Sequence, residues 1–371
     1  MTERPTVTAA ALLTGLRDAG HFAPGGIEAA AAFLAARRPG DDPPLYLKIL
    51  AAIGTFIATL FFLGFLGAAG LVDFRSAVGM IAWGGGFLVL GIVLALSIRD
   101  ALPGLRTDMV AQTALTGLAL GKVLVVVGIV GQFPFGTQWV LTLALLAVTV
   151  VTYPFSGSSL DRFLSPYAVA VSILWELVEH RGGVEATSLA LTLYTLAAIA
   201  LVAALVLNPR APAVLRPIGF AALAALGSVV CFIASGHDLG FLVGRRVLDP
   251  RAIEALLPRS LVGLVAWAAG SWRRLFEPRL IPAVVGIVVL GFAAAPGIVF
   301  ALGLLVLGHG RHDRALRVVG ALALPAFLVL WYWARDLDFL MKSGALVASG
   351  IALLLARGWM AWQRLDRETT P

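Results

Sequence analysis

The chain has 371 residues, 60% of them hydrophobic and only 13% charged, with a mean hydropathy of +0.93. Soluble domains carry about 25% charged residues, so a water-soluble enzyme or nucleic-acid-binding protein is excluded, and the formal charge of +7 belongs to loops at a membrane surface. One cysteine, Cys231 in an apolar run, leaves no intrachain disulfide framework and no cysteine metal site.

Only Lys48, Lys122 and Lys342 among the 28 basic residues are lysines, and with the abundance of alanine this suggests a GC-rich bacterial genome. Residues 1–45 mix both charge signs and lack the apolar core and cleavage site of a signal peptide. Two short amphipathic helices are expected there, over 6–18 and 27–38. Leu12, Leu13 and Leu16 form one stripe, and Ile27, Phe33 and Leu34 the other. Gly20 and the Ala-Pro-Gly-Gly run at 23–26 separate them. This is a cytosolic helical leader, and the first span after it serves as the insertion signal.

Twelve apolar segments follow, at 46–70, 76–98, 110–131, 138–155, 163–178, 187–207, 214–235, 253–272, 279–295, 297–309, 315–334 and 340–357. A bilayer core of about 30 Å needs roughly 20 apolar residues per helix. Two places fit this poorly. Pro258 and Arg259 interrupt 253–272, leaving 260–272 as a short span. Only Pro296 and Gly297 divide 279–295 from 297–309, so this pair is either two tilted helices or a re-entrant hairpin. Charge orients the chain. With the N-terminus in the cytoplasm, nineteen basic residues face inward and eight outward, and Lys122 in mid-membrane completes the 28. Omitting 253–272 reverses that bias, so it is kept, and both termini are expected inside. No internal repeat of the kind seen in many transporters is found.

Lys122 stands among apolar neighbours, where an ammonium costs about 2.5–3.5 kcal/mol on insertion scales. It reads either as a coupling or substrate site, or more plainly as a structural ion pair or a snorkelling lysine. It lies about 18 Å along its helix from Val110, and Glu176 about 21 Å from Arg162, so Glu176 is the favoured carboxylate partner. Glu176, Glu179 and His180 share a helix face, but no second such motif accompanies them and an exposed helix end is the plainer reading. His309, His312 and Asp313 sit in an arginine-rich loop and read as solvated. Asp336, Asp338 and Lys342 follow the aromatic triplet Trp331, Tyr332 and Trp333. That arrangement suits an interfacial belt with an Asp338–Lys342 pair at helical spacing. Lys122, Glu176, Asp336, Asp338 and Lys342 thus form a candidate intramembrane polar site, with Gln132, His237 and Asp238 at the same outer ends. Pro296 and Gly297 form a candidate helix break.

The C-terminal third carries a resemblance. Ala295, Pro296 and Gly297 precede an apolar run, then Gly308 with basic residues, the aromatic triplet, Lys342, Ser343 and Gly344, and a final helix over 350–357. This order resembles a bacterial multi-pass membrane family catalogued as domain of unknown function 4401, with Trp333 standing where a second tyrosine is usual. The segment Pro43, Pro44, Leu45, Tyr46, Leu47 and Lys48 resembles that family's start, so the likeness covers roughly 44–357. It implies a partner from the neighbouring-gene family named for its GDYXXLXLRLP motif, and it implies no activity.

The expected fold is therefore all-α, a polytopic transmembrane helix bundle of about twelve segments, or ten spans plus a re-entrant hairpin. The leader occupies 1–45, the bundle 46–357 and a cytosolic tail 358–371. The expected setting is a bacterial inner membrane, with the lipid bilayer as partner and another membrane protein or a second copy as further candidates, but no nucleic acid. No P-loop, zinc-protease, nucleophile-elbow or dinucleotide signature is found, so neither catalysis nor a cofactor or metal is expected. Transport of a small solute or ion is the first functional expectation. A non-enzymatic membrane partner or sensor is the alternative.

Overall fold

The computed structural model describes residues 76–98, 105–133, 139–179, 184–234, 251–270 and 296–334, with scattered positions in 54–70 and at 273 and 285. The leader, nearly all of 279–295, segment 340–357 and the tail lie outside the described residues. What is described is helix and turn, with nine α-helices and no strand among the described residues. Four helical stretches are long and apolar enough to cross a membrane: Ala77–Ser97, Met109–Val130, Glu185–Leu207 and Ala213–Ile233. Val140–Phe155 and Pro296–Gly310 are shorter apolar helices. The chain is an all-α protein with several candidate transmembrane helices, and it divides into two compact units.

The first unit contains α1 (Ala77–Ser97) and α2 (Leu105–Val130). Ser76 caps α1, its hydroxyl accepting from the Gly79 N–H at 3.1 Å. The two helices pack antiparallel. Gly84 of α1 meets Gly121 and Val125 of α2, Gly91 meets Ala114 and Leu118, and Ile81 meets Gly128. The buried residues of α1 are small, namely Gly84, Gly91 and Ala95. Its large ones face out, with Val89 63% and Val93 56% exposed. This inverts the pattern of a water-soluble helix. In lipid no hydrophobic force drives helices together, so close backbone approach through small residues takes its place.

The second unit holds seven helices. They are α3 (Val140–Thr152), α4 (Ser159–Glu179), α5 (Val184–Val202), α6 (Arg216–Ala234), α7 (Arg251–Ala268), α8 (Pro296–Gly310) and α9 (Arg314–Ala334). A π-helical turn, Ala203–Leu207, extends α5. The main core joins Leu174 of α4, Leu191 of α5, Val229 and Val230 of α6, Leu257 and Leu261 of α7, Val299 and Ala301 of α8, and Phe327 of α9.

Helix α7 departs from the sequence expectation. It does not break at Pro258 but runs on from Arg251 to Ala268. Proline removes one backbone bond and costs about 3 kcal/mol inside a helix. Against this, Ile253, Leu257, Leu261 and Val265 form one unbroken buried stripe at four-residue spacing, and its packing outweighs that cost. The Arg259 guanidinium also donates to the Ala255 carbonyl at 3.1 Å, in the turn the proline disturbs. The stop comes later, at Gly270 with φ +77, whose N–H donates to the Trp267 carbonyl at 2.9 Å.

Several contacts gather helix ends at one end of this unit. The Tyr153 hydroxyl, in the turn after α3, donates to the Val214 carbonyl before α6 at 2.6 Å. The Arg311 guanidinium, past α8, donates to the Val206 carbonyl of the π turn. Trp267 of α7 lies against Gly310, and Gly308 against Arg317 of α9. Arg162, Arg210, Arg216, Arg311, Arg314 and Arg317 belong to these ends. Asp313 belongs there too, but its carboxylate is engaged in capping α9, accepting from Ala315 N at 2.9 Å and Leu316 N at 3.4 Å.

Candidate functional site

Lys122 is the deepest anomaly of the first unit. Helix α2 turns roughly 100° per residue, so the residue after Gly121 stands on the flank of the glycine seam, one turn beyond Leu118. The side chain is 8% exposed. A flexible stem carrying a compact charge could snorkel outward, but Lys122 is held inside, whereas Val123 and Val127 of the same helix are exposed. It follows Gly121 of the packed seam. Gly117, Gly121 and Gly128 bring the backbones so close that a Cβ on Gly121 would lie 2.7 Å from the Gly84 carbonyl oxygen and the Leu88 nitrogen.

The other expected site residues divide by location. Glu176 lies on α4 and is half-buried. Asp336, Asp338 and Lys342 lie outside the described residues, as do His180, His237, Asp238 and the side chain of Glu179. Pro296 and Gly297 are both buried and form the first turn of α8, where proline's missing N–H costs nothing. Gly297 admits the ring of Phe327 from α9 against its backbone. Lys122 belongs to the first unit, and Glu176, Pro296 and Gly297 to the second, and each is described within its own unit. His309 and His312 stand 6.5 Å apart, ring to ring, both exposed.

The second unit contains polar groups that the sequence reading passed over. Asp161, in the first turn of α4, is only 4% exposed, and the Ser165 hydroxyl donates to its carboxylate at 3.2 Å. Tyr167 and Ser228 share a hydrogen bond of 3.0 Å between α4 and α6, and the Tyr194 hydroxyl of α5 donates to the Ala170 carbonyl at 2.9 Å. Tyr167, Ser228 and Cys231 line an open recess of about 490 Å³ between α4 and α6. Their signal in the sequence was the four-residue spacing of Asp161 and Ser165, which places both on one helix face. Asp161 sits at the arginine-bearing end of this unit. Among the described residues Lys122 and Asp161 are the buried charged side chains.

A second cavity, of about 340 Å³, lies between α5, α6, α7 and α8. Its walls are apolar apart from Ser260, whose hydroxyl already donates to the Leu257 carbonyl at 2.7 Å.

No curated protein and no solved structure matches the chain. A protein family does. It matches over residues 44–362, from the start of the first apolar segment through the last, and so takes in both units and both charged side chains buried within them. The match agrees with the family suggested by the order of Pro296, Gly297, the aromatic triplet and Lys342. On this span the chain belongs to the family described as domain of unknown function DUF4401.

Proposed function

We propose that the protein is a multi-pass component of the bacterial cytoplasmic membrane. In this proposal it has about twelve membrane segments, keeps both termini inside, and moves a small solute or ion with Lys122 as the charge that engages it. The observation carrying the functional part is Lys122 itself, buried in a helix whose span has a hydropathy of 2.1. A cation kept at that depth despite its insertion cost is by default a functional feature. It selects for anionic solutes, or for a carboxylate that alternates with them. The proposal contains no catalytic step.

The topological part draws on the second unit. Helices α7 and α8 run parallel, since a methyl on Gly303 would lie 3.9 Å from Leu261, and Trp267 and Ala268 lie against Gly310. Equal rise along the two helices puts Pro296 level with Glu254, in the first turn of α7. Ala268 and Pro296 thus mark opposite ends. This favours a full crossing by 279–295 over a re-entrant tip at mid-membrane. The arginine-bearing end is then the cytoplasmic one. Reporter fusions check this: a cytoplasm-active reporter after Pro371 and a periplasm-active reporter within 238–249 should both be active. A periplasmic reporter active at the C-terminus would reverse the orientation.

The solute proposal is tested on the purified full chain by thermal unfolding against a panel of small anions and cations. At least one anion at 100 times its Kd should stabilise by about 2.7 kcal/mol through mass action. An unresponsive midpoint across the panel argues for the second reading, a non-enzymatic partner of another envelope protein. The apolar stripes at Leu12, Leu13 and Leu16 and at Ile27, Phe33 and Leu34 support that reading.

A further inference from the structure

The apolar cavity of the second unit ends beside the arginine-bearing end of the bundle. Its walls near that end include Leu207 of the π turn, Leu223 of α6, and Leu304 and Leu307 of α8. Arg216 stands seven residues before Leu223 on the same stripe of α6. Arg311 follows Leu307 by four residues and Leu304 by seven, and its N–H continues the helical bonding to the Leu307 carbonyl at 3.0 Å. Each arginine is thus placed directly beyond an apolar wall of the cavity. The Nε of Arg216 is buried and has no hydrogen-bond acceptor among the described residues. That Nε is closed to solvent, so an anionic oxygen meets this guanidinium at its outer Nη groups. Arg311 uses one guanidinium nitrogen on the Val206 carbonyl and keeps others for a ligand. Asp313, the nearby acid, is engaged at the start of α9.

An apolar slot in a membrane-embedded bundle, closed at one end by arginines, has the two-part chemistry of a phospholipid. We propose that an anionic phospholipid binds here, one acyl chain in the cavity between α5, α6, α7 and α8 and its phosphate on Arg216 and Arg311. Basic pockets between transmembrane helices on the cytoplasmic side bind anionic headgroups for the same electrostatic reason. The cavity of about 340 Å³ takes part of a chain, and Gly303 in its wall leaves that space unfilled by a side chain. The π turn, whose Val206 carbonyl is held by Arg311, shapes the wall beside the headgroup, and π turns recur at functional sites. This inference rests on membrane embedding and not on transport.

Native mass spectrometry of the purified full chain, titrated with phosphatidylglycerol or phosphatidylcholine in neutral detergent, tests it. The wild type should retain phosphatidylglycerol at roughly thirtyfold lower lipid concentration, as two basic contacts imply. Arg216→Gln with Arg311→Gln should erase that preference by lowering phosphatidylglycerol retention much further than that of phosphatidylcholine, whose phosphate is offset by its choline cation. Gly303→Leu should lower retention of both lipids. Equal retention of the two lipids by the wild type overturns the proposal, and that comparison decides it even if the variants fail to fold. Displacement of phosphatidylglycerol by millimolar inorganic phosphate also overturns it, because the cavity would then contribute nothing.

Discussion

Gly121→Leu should disrupt the α1–α2 pair, and Gly121→Ala should already weaken it. The reason is geometric. A Cβ at Gly121 would stand 2.7 Å from two backbone atoms of α1, the Gly84 oxygen and the Leu88 nitrogen, and 2.8 Å from the Leu88 side chain. Backbone cannot rotate aside as a side-chain tip can, so the helices must separate along the seam. Overpacking of this kind costs about 1–3 kcal/mol for small additions and more for large ones. Alanine at 121 should fall near the upper end, and leucine should exceed it. Gly86→Ala, two residues beyond Gly84 and on the open side of α1, is the control. Nothing lies within 4 Å of its Cβ, and replacing glycine inside a helix should raise stability by about 0.5–1 kcal/mol. Denaturation midpoints of the three variants in one detergent check this. Equal effects at 86 and 121 would mean that the seam is not the contact surface.

Lys122→Met should separate the two meanings of a buried lysine, because only one of them makes the response to anions depend on it. If the ammonium only completes a structural ion pair, removing it strands the partner, at a cost of about 3–5 kcal/mol. If it also engages a solute, methionine, close in length and apolar, removes the response to anions as well and relieves an insertion cost of about 2.5–3.5 kcal/mol. The expected result is a modest loss of stability, together with complete loss of the anion-dependent stabilisation. Lys122→Arg, which keeps the charge and changes the donor geometry, should retain a reduced response. A strong destabilisation by methionine, with the response intact in the fraction that folds, would falsify the transport role and leave Lys122 as a structural element.

Composition alone determined that this is an α-helical membrane protein, since a chain this poor in charge can satisfy its backbone in lipid only as helices or a closed barrel, and its apolar runs have helical length. The fall of arginines between those runs was equally legible, because charge at a membrane surface is a property of position along the chain. The glycine seam was legible in principle, with Gly117 and Gly121 four apart and Gly84 and Gly91 seven apart on one helix face. That spacing is common in glycine-rich membrane chains, and it acquires meaning only when a partner helix is seen against it.

Tertiary structure decided the rest. Pro258 reads locally as a break, and only the buried stripe from Ile253 to Val265 explains why α7 continues through it. Asp161 looks like an ordinary first-turn acid until its burial is known, and Arg216 looks like a loop charge until its orphaned Nε is placed beyond a cavity wall. In each case the deciding energy comes from residues far away in the chain. Local sequence sets which helices can form, whereas burial, close approach and unmet hydrogen bonds arise only between helices once they are packed.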